Sequence, residues 1–122
     1  MHEMSLMSNL LERAKEALCP YDVRKVNSIT VQAGPLANIM PAAFEFAFET
    51  LSAGTIFDGA ELITEQLPIC VKCSCCGNIS KVQRMPEKCP VCAGEGLSIT
   101  EGAEVYISAI DFEENYNEIE IE

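Results

Sequence analysis

Two short cysteine turns carry the most explicit chemistry in this sequence. Cys73-x2-Cys76-Gly77 and Cys89-Pro90-Val91-Cys92 are separated by 12 residues, and each pair can present two thiolates to one ion. Tetrahedral zinc takes four such ligands at about 2.3 Å, and a closed set of four thiolates leaves no position for a substrate. Gly77 can turn the chain back and aim backbone N–H groups at sulfur, and Ala93-Gly94 does this less tightly at the second turn. Cys70-x2-Cys73 is also a pair, and Cys75 lies inside the next one. The glycine after Cys76 and the shorter loop favour Cys73 and Cys76 as the ligands, with Cys70 and Cys75 as bystanders. Disulfides are a competing use of the same residues, disfavoured in a reducing compartment. Rubredoxin-type iron is another; the longer spacing and aromatic packing of such sites are missing here.

The only histidine is His2, followed by Glu3. A histidine beside a chain end is ordinarily a solvated side chain. Here, however, the α-amine of Met1, the backbone nitrogen of His2 and the imidazole Nδ1 can close fused chelate rings on one ion, with the Glu3 amide or carboxylate for a fourth position. Nitrogen-rich planar ligation suits Ni(II) or Cu(II) rather than zinc. The bulky second residue also predicts that the initiator Met stays in place. Imidazole and amide must be deprotonated to bind, so affinity should weaken toward acid pH.

These residues need elements to hold them. Met4, Met7, Leu10, Leu11, Ala14 and Leu18 recur at helical spacing and predict an amphipathic helix over 4–18 that ends before Pro20. Residues 25–33 (KVNSITVQA) read as a strand stopped by Gly34-Pro35. Pro41 opens a second helix whose apolar stripe is Phe44, Ala47, Phe48 and Leu51, with Phe46 on the opposite side and Gly54 at the C-cap. Residues 60–67 predict a second strand that pairs with the first, and 104–112 a third. Between them, residues 68–100 hold six of the seven cysteines and four of the eight basic residues, with little apolar bulk. That segment cannot build a core of its own, so a metal must fold it. The reading is an α+β protein: a small three-stranded sheet with two helices, residues 1–67 and 101–122, carrying an inserted zinc-ribbon-like four-cysteine subdomain, residues 68–100. Cys19, after the first helix, reads as a half-buried thiol.

Composition narrows function further. The 122 residues carry a formal charge of −11, which argues against general binding to nucleic acid or anionic membrane. Six of the 19 acidic side chains fall in the last twelve residues, so the charge describes an acidic tail, read as a frayed strand extension or a solvated segment, more than a body. One histidine cannot build a multi-His catalytic zinc centre, and no nucleophile has a histidine base, so an enzyme is disfavoured. Without a leader-like amino end or a long apolar stretch, the chain reads as cytoplasmic.

Met1-His2-Glu3, the VQAGPL run, PAAFEFAFETLSAGT, FDGAEL and the two knuckles occur in an order that resembles the HypA/HybF family of nickel metallochaperones for hydrogenase maturation. The likeness covers nearly the whole chain, and its specificity lies in combining an MHE start with a four-cysteine insert. It departs from the family at Ala42, where Glu often follows the proline, at CPVCAG in the second knuckle, and in the long acidic end. The resemblance implies Ni(II) cargo on Met1, His2 and Glu3, and a structural zinc on Cys73, Cys76, Cys89 and Cys92. It implies delivery to the [NiFe]-hydrogenase large-subunit precursor with a nickel-maturation accessory GTPase, and it leaves room for a homodimer. The alternative from the residues alone is a zinc-ribbon adaptor with an inert amino end.

Overall fold

The computed structural model describes residues 2–115. Two helices and six strands run in the order α1 (His2–Leu18), β1 (Val23–Ala33), α2 (Pro41–Ser52), β2 (Glu61–Gln66), β3 (Ile69–Cys73), β4 (Ile79–Val82), β5 (Leu97–Glu101) and β6 (Val105–Glu114). They form two compact units. The first takes in residues up to Val31, Ile39–Ile63 and the chain from Ile107; the second takes in Gln32–Asn38 and Thr64–Tyr106.

In the first unit, α1 buries Met7, Leu10, Leu11, Ala14 and Leu18, the stripe expected of it, but starts two residues earlier, at His2. Its partner α2 has Pro41 in the first turn, where the missing N–H costs nothing, and buries Phe44, Ala47 and Phe48. Phe46 is 60% exposed, as its position a half-turn away requires. The helix ends at Ser52; Ala53 is the C-cap and Gly54 follows at φ +76°. β1 adds Val26, Ile29 and Val31 to this core. Phe57 is fully buried. It sits in a turn where Thr55 Oγ1 accepts its N–H at 3.1 Å, outside any periodic run, so the apolar pattern did not single it out.

The expected three-stranded sheet is present, ordered β2-β1-β6. β6 extends to Glu114, two residues past the strand read over 104–112 and into the acidic end, as the strand-extension reading allows. Glu113 pairs with Arg24 (3.8 Å) and Lys25 (3.6 Å), while the Asn115 N–H donates to the Asp22 carbonyl at 2.9 Å. The start of the acidic end is thus held to β1; residues 116–122 lie outside the described residues.

In the second unit a further sheet, β4-β3-β5, lies inside the cysteine-rich segment. These strands are four or five residues long, too short for periodicity to register. Central β3 is buried at Ile69, Cys70, Val71 and Cys73 and is flanked on both sides by antiparallel partners. The register between β3 and β5 shifts at Cys70/Val71.

Candidate metal centre

β3 ends on Cys73, and the chain turns at once. The Gly77 N–H donates to the Cys73 carbonyl at 2.9 Å, and the Cys73 N–H to the Asn78 carbonyl at 3.0 Å. The second turn repeats both bonds one for one: Ala93 N–H to the Cys89 carbonyl at 2.9 Å, and Cys89 N–H to the Gly94 carbonyl at 2.8 Å. In each, the residue after the second cysteine takes left-handed backbone, Gly77 at φ +74° and Ala93 at φ +60°. The position is free for glycine and costs an alanine about 1–2 kcal/mol.

The two turns face one another with the sulfurs of Cys73, Cys76, Cys89 and Cys92 all within 4.8 Å of each other. Cys73 Sγ lies 3.6 Å from Cys92 Sγ, and Cys76 Sγ 3.8 Å from Cys89 Sγ. A tetrahedron of thiolates around zinc at about 2.3 Å has edges of about 3.8 Å, so the spacing fits such an ion. The first cysteine of each turn, Cys73 or Cys89, is buried; the second, Cys76 or Cys92, is exposed.

The charge pattern shows what the set lacks. The Cys76 amide, followed by that of Cys75, holds the Cys73 thiol down at about 6, against the ordinary 9.0. The amides of Cys92 and Val91 likewise lower Cys89, with N···S distances of 3.4 and 3.3 Å. At Cys92 the Gly94 N–H favours the thiolate, yet the neighbouring sulfurs, Cys73 first, and partial desolvation among them push the thiol up to about 12. Cys76 is also raised, despite the Asn78 N–H. Four thiolates this close repel one another, which raises the thiols of Cys76 and Cys92 until a cation supplies the compensating charge.

Of the remaining cysteines, Cys70 donates to Glu101 Oε2 at 3.6 Å, and burial and that carboxylate push its thiol up. Cys75 and Cys19 are exposed. Cys19 was expected to be half-buried; it lies one residue past the helix, about 100° round from Leu18 and off the buried stripe.

At the amino end, His2 opens α1 and Glu3 occupies its first turn. The Met40 N–H, at the N-cap of α2, donates to Glu3 Oε2 at 3.1 Å, which with the Glu3 amide holds this carboxyl below the usual range. His2 Nδ1 is 3.8 Å from the same oxygen, and its side chain is 58% exposed. Met1 lies outside the described residues.

A small α+β chain whose two cysteine turns converge on one tetrahedral set is a metal-binding protein. No helix among the described residues is long and apolar enough to cross a membrane. Residues 1–112 match the HypA family, described as hydrogenase/urease nickel incorporation, metallochaperone. The chain is 37% identical over 114 residues to hydrogenase maturation factor HypA of Desulfitobacterium hafniense, covering 93% of this chain and 100% of that one. It is 36% identical, over 93% of its length and 100% of the relative's, to hydrogenase maturation factor HypA of Caldanaerobacter subterraneus. The solution structure of the Ni metallochaperone HypA from Helicobacter pylori aligns with a TM-score of 0.68 at 21% identity, covering 94% of this chain and all of that one, a likeness of fold. The chain belongs to the HypA family of nickel metallochaperones, and the resemblance read from its motifs is established.

Proposed function

We propose that this chain binds Ni(II) through Met1, His2 and Glu3 and delivers it to the [NiFe]-hydrogenase large-subunit precursor, working with a nickel-maturation accessory GTPase. Cys73, Cys76, Cys89 and Cys92 hold one structural zinc, within an insert of residues 68–100 on a nickel-binding domain of residues 1–67 and 101–122. The observation that carries this reading is the extent of the family match, which runs from residue 1 and takes in the amino-terminal triplet with both knuckles.

Local chemistry supports it. The first amides of a helix have no acceptor four residues back, so the His2 and Glu3 nitrogens can be deprotonated and bound without breaking a helical bond. The Glu3 carboxylate is already engaged by the Met40 N–H, which favours its amide as the metal donor and gives the side chain the task of fixing the triplet. A half-exposed imidazole on a chain end can take up an ion and release it, as a carrier must. The closed thiolate set offers a substrate no coordination position, in keeping with a non-enzymatic, cytoplasmic carrier.

Nickel titration of the untagged protein tests this reading. One equivalent binding to the wild type and none to His2→Ala, with both folded, is the expected result. A wild type that takes up no nickel would leave a zinc-ribbon adaptor.

A further inference from the structure

Beside the tetrahedral set lies a fifth sulfur. Cys75 is exposed and sits between two proposed ligands in the turn from Cys73 to Cys76. It points toward the opposite knuckle: a Cβ built on Gly94 would lie 3.1 Å from Cys75 Sγ and 3.2 Å from Cys92 Sγ. The two sulfurs both border the space that a side chain on residue 94 would fill, which sets the spare thiol beside Cys92 across Gly94. Cys92 is also the less tethered member of its knuckle. It accepts one N–H, from Gly94 at 3.4 Å, whereas buried Cys89 accepts two, from Val91 and Cys92.

We propose that Cys75 is a reserve zinc ligand that exchanges with Cys92. In the exchange Cys75 loses its proton to solvent and gains a sulfur–metal bond. Cys92 gives up its own and takes up a proton, so charge and oxidation state are unchanged. The proposal rests on the zinc reading above. Thiol ligands on zinc are substituted readily because the ion has no geometric preference of its own beyond ligand packing. A spare thiol beside the exposed ligand lets the knuckle open on one side without losing its ion.

Zinc content and cadmium–thiolate absorption of single and double variants test it under reducing conditions. Cys92→Ser should keep about one zinc per chain and a four-thiolate cadmium band. Cys92→Ser/Cys75→Ser should lose the metal or show three thiolates, and Cys89→Ser, which removes the buried ligand held by two N–H groups, should fail alone. Zinc-loaded wild type gives a second measurement that does not depend on variant folding. Limited iodoacetamide treatment, followed by trypsin cleavage at Lys81, Arg84 and Lys88 to separate the knuckles, should place single labels on Cys75 in some molecules and on Cys92 in others. Labels on Cys75 without Cys92, or equal metal loss in the single and double variants, overturn the proposal. A wild type without zinc overturns the zinc reading itself.

Discussion

The two units are held together by different physics. The first buries Met7, Leu10, Leu11, Val26, Ile29, Phe44, Phe48 and Phe57, long apolar side chains whose removal from water drives folding. The second buries Ile69, Val71 and Ala33, and its other buried apolar residues are Cys70, Cys73 and Cys89. Where one unit has phenylalanines, the other has sulfur. Apolar burial is supplied by the chain itself, but a thiolate cluster repels itself until a cation arrives. On the zinc reading proposed above, the first unit is expected to fold unaided and the second to wait for its ion.

Metal removal should separate them most strongly. Structural zinc is worth about 10–16 kcal/mol in small metal-dependent peptides, more than most domains' net stability. Chelation should abolish amide protection of β3, β4 and β5 while that of α1 and α2 persists, read by hydrogen exchange. A single zinc-independent transition would erase the distinction. The converse change is Phe57→Ala, which should cost about 3–5 kcal/mol of the first unit's stability and leave zinc stoichiometry at its wild-type value. A loss of zinc in that variant would mean that the units share one core.

Acid provides a graded version of the same contrast. Thiols of an opened chain titrate near 9.0, whereas bound sulfur carries no proton, and even without the ion Cys73 is held at about 6. The Cys73 contribution is fully present above the higher value and is lost as pH falls through the lower one, while the protons favoured at Cys76 and Cys92 must be displaced by the ion. Apparent zinc affinity should accordingly rise steeply from pH 6 to 8, with the helical circular dichroism of the first unit unchanged over that range. A flat affinity would point to ligands other than thiols. The smallest effect concerns the two knuckles. Ala93→Gly should relieve the left-handed alanine and stabilise the zinc-loaded second unit by about 1 kcal/mol, while Gly77→Ala should cost a similar amount.

What could be read from the sequence followed from what is periodic or regularly spaced. Helical stripes on α1 and α2 identified the core faces, down to the exposed Phe46, and the three strands of the β2-β1-β6 sheet were legible because each is six residues or longer. Knuckle spacing singled out the four cysteines whose sulfurs converge. Three things were hidden for definite reasons. β3 and β4 are short and carry cysteine or lysine among their apolar residues, and β5 is only five residues long. Phe57 is buried from a turn. The bond from the Met40 N–H to Glu3 joins residues 37 apart, a pairing that no local pattern encodes. The place of Cys75 likewise depends on the two turns facing each other across Gly94.

The central claim is that the nickel and zinc belong to separate places on the chain, the amino-terminal triplet and the knuckles. Metal analysis of the untagged protein, with and without added nickel, addresses it directly when repeated on His2→Ala and on a form with extra residues ahead of Met1. The account predicts about one zinc in every case and about one nickel only when Met1-His2 is intact. One-to-one nickel retained by both altered forms would contradict it.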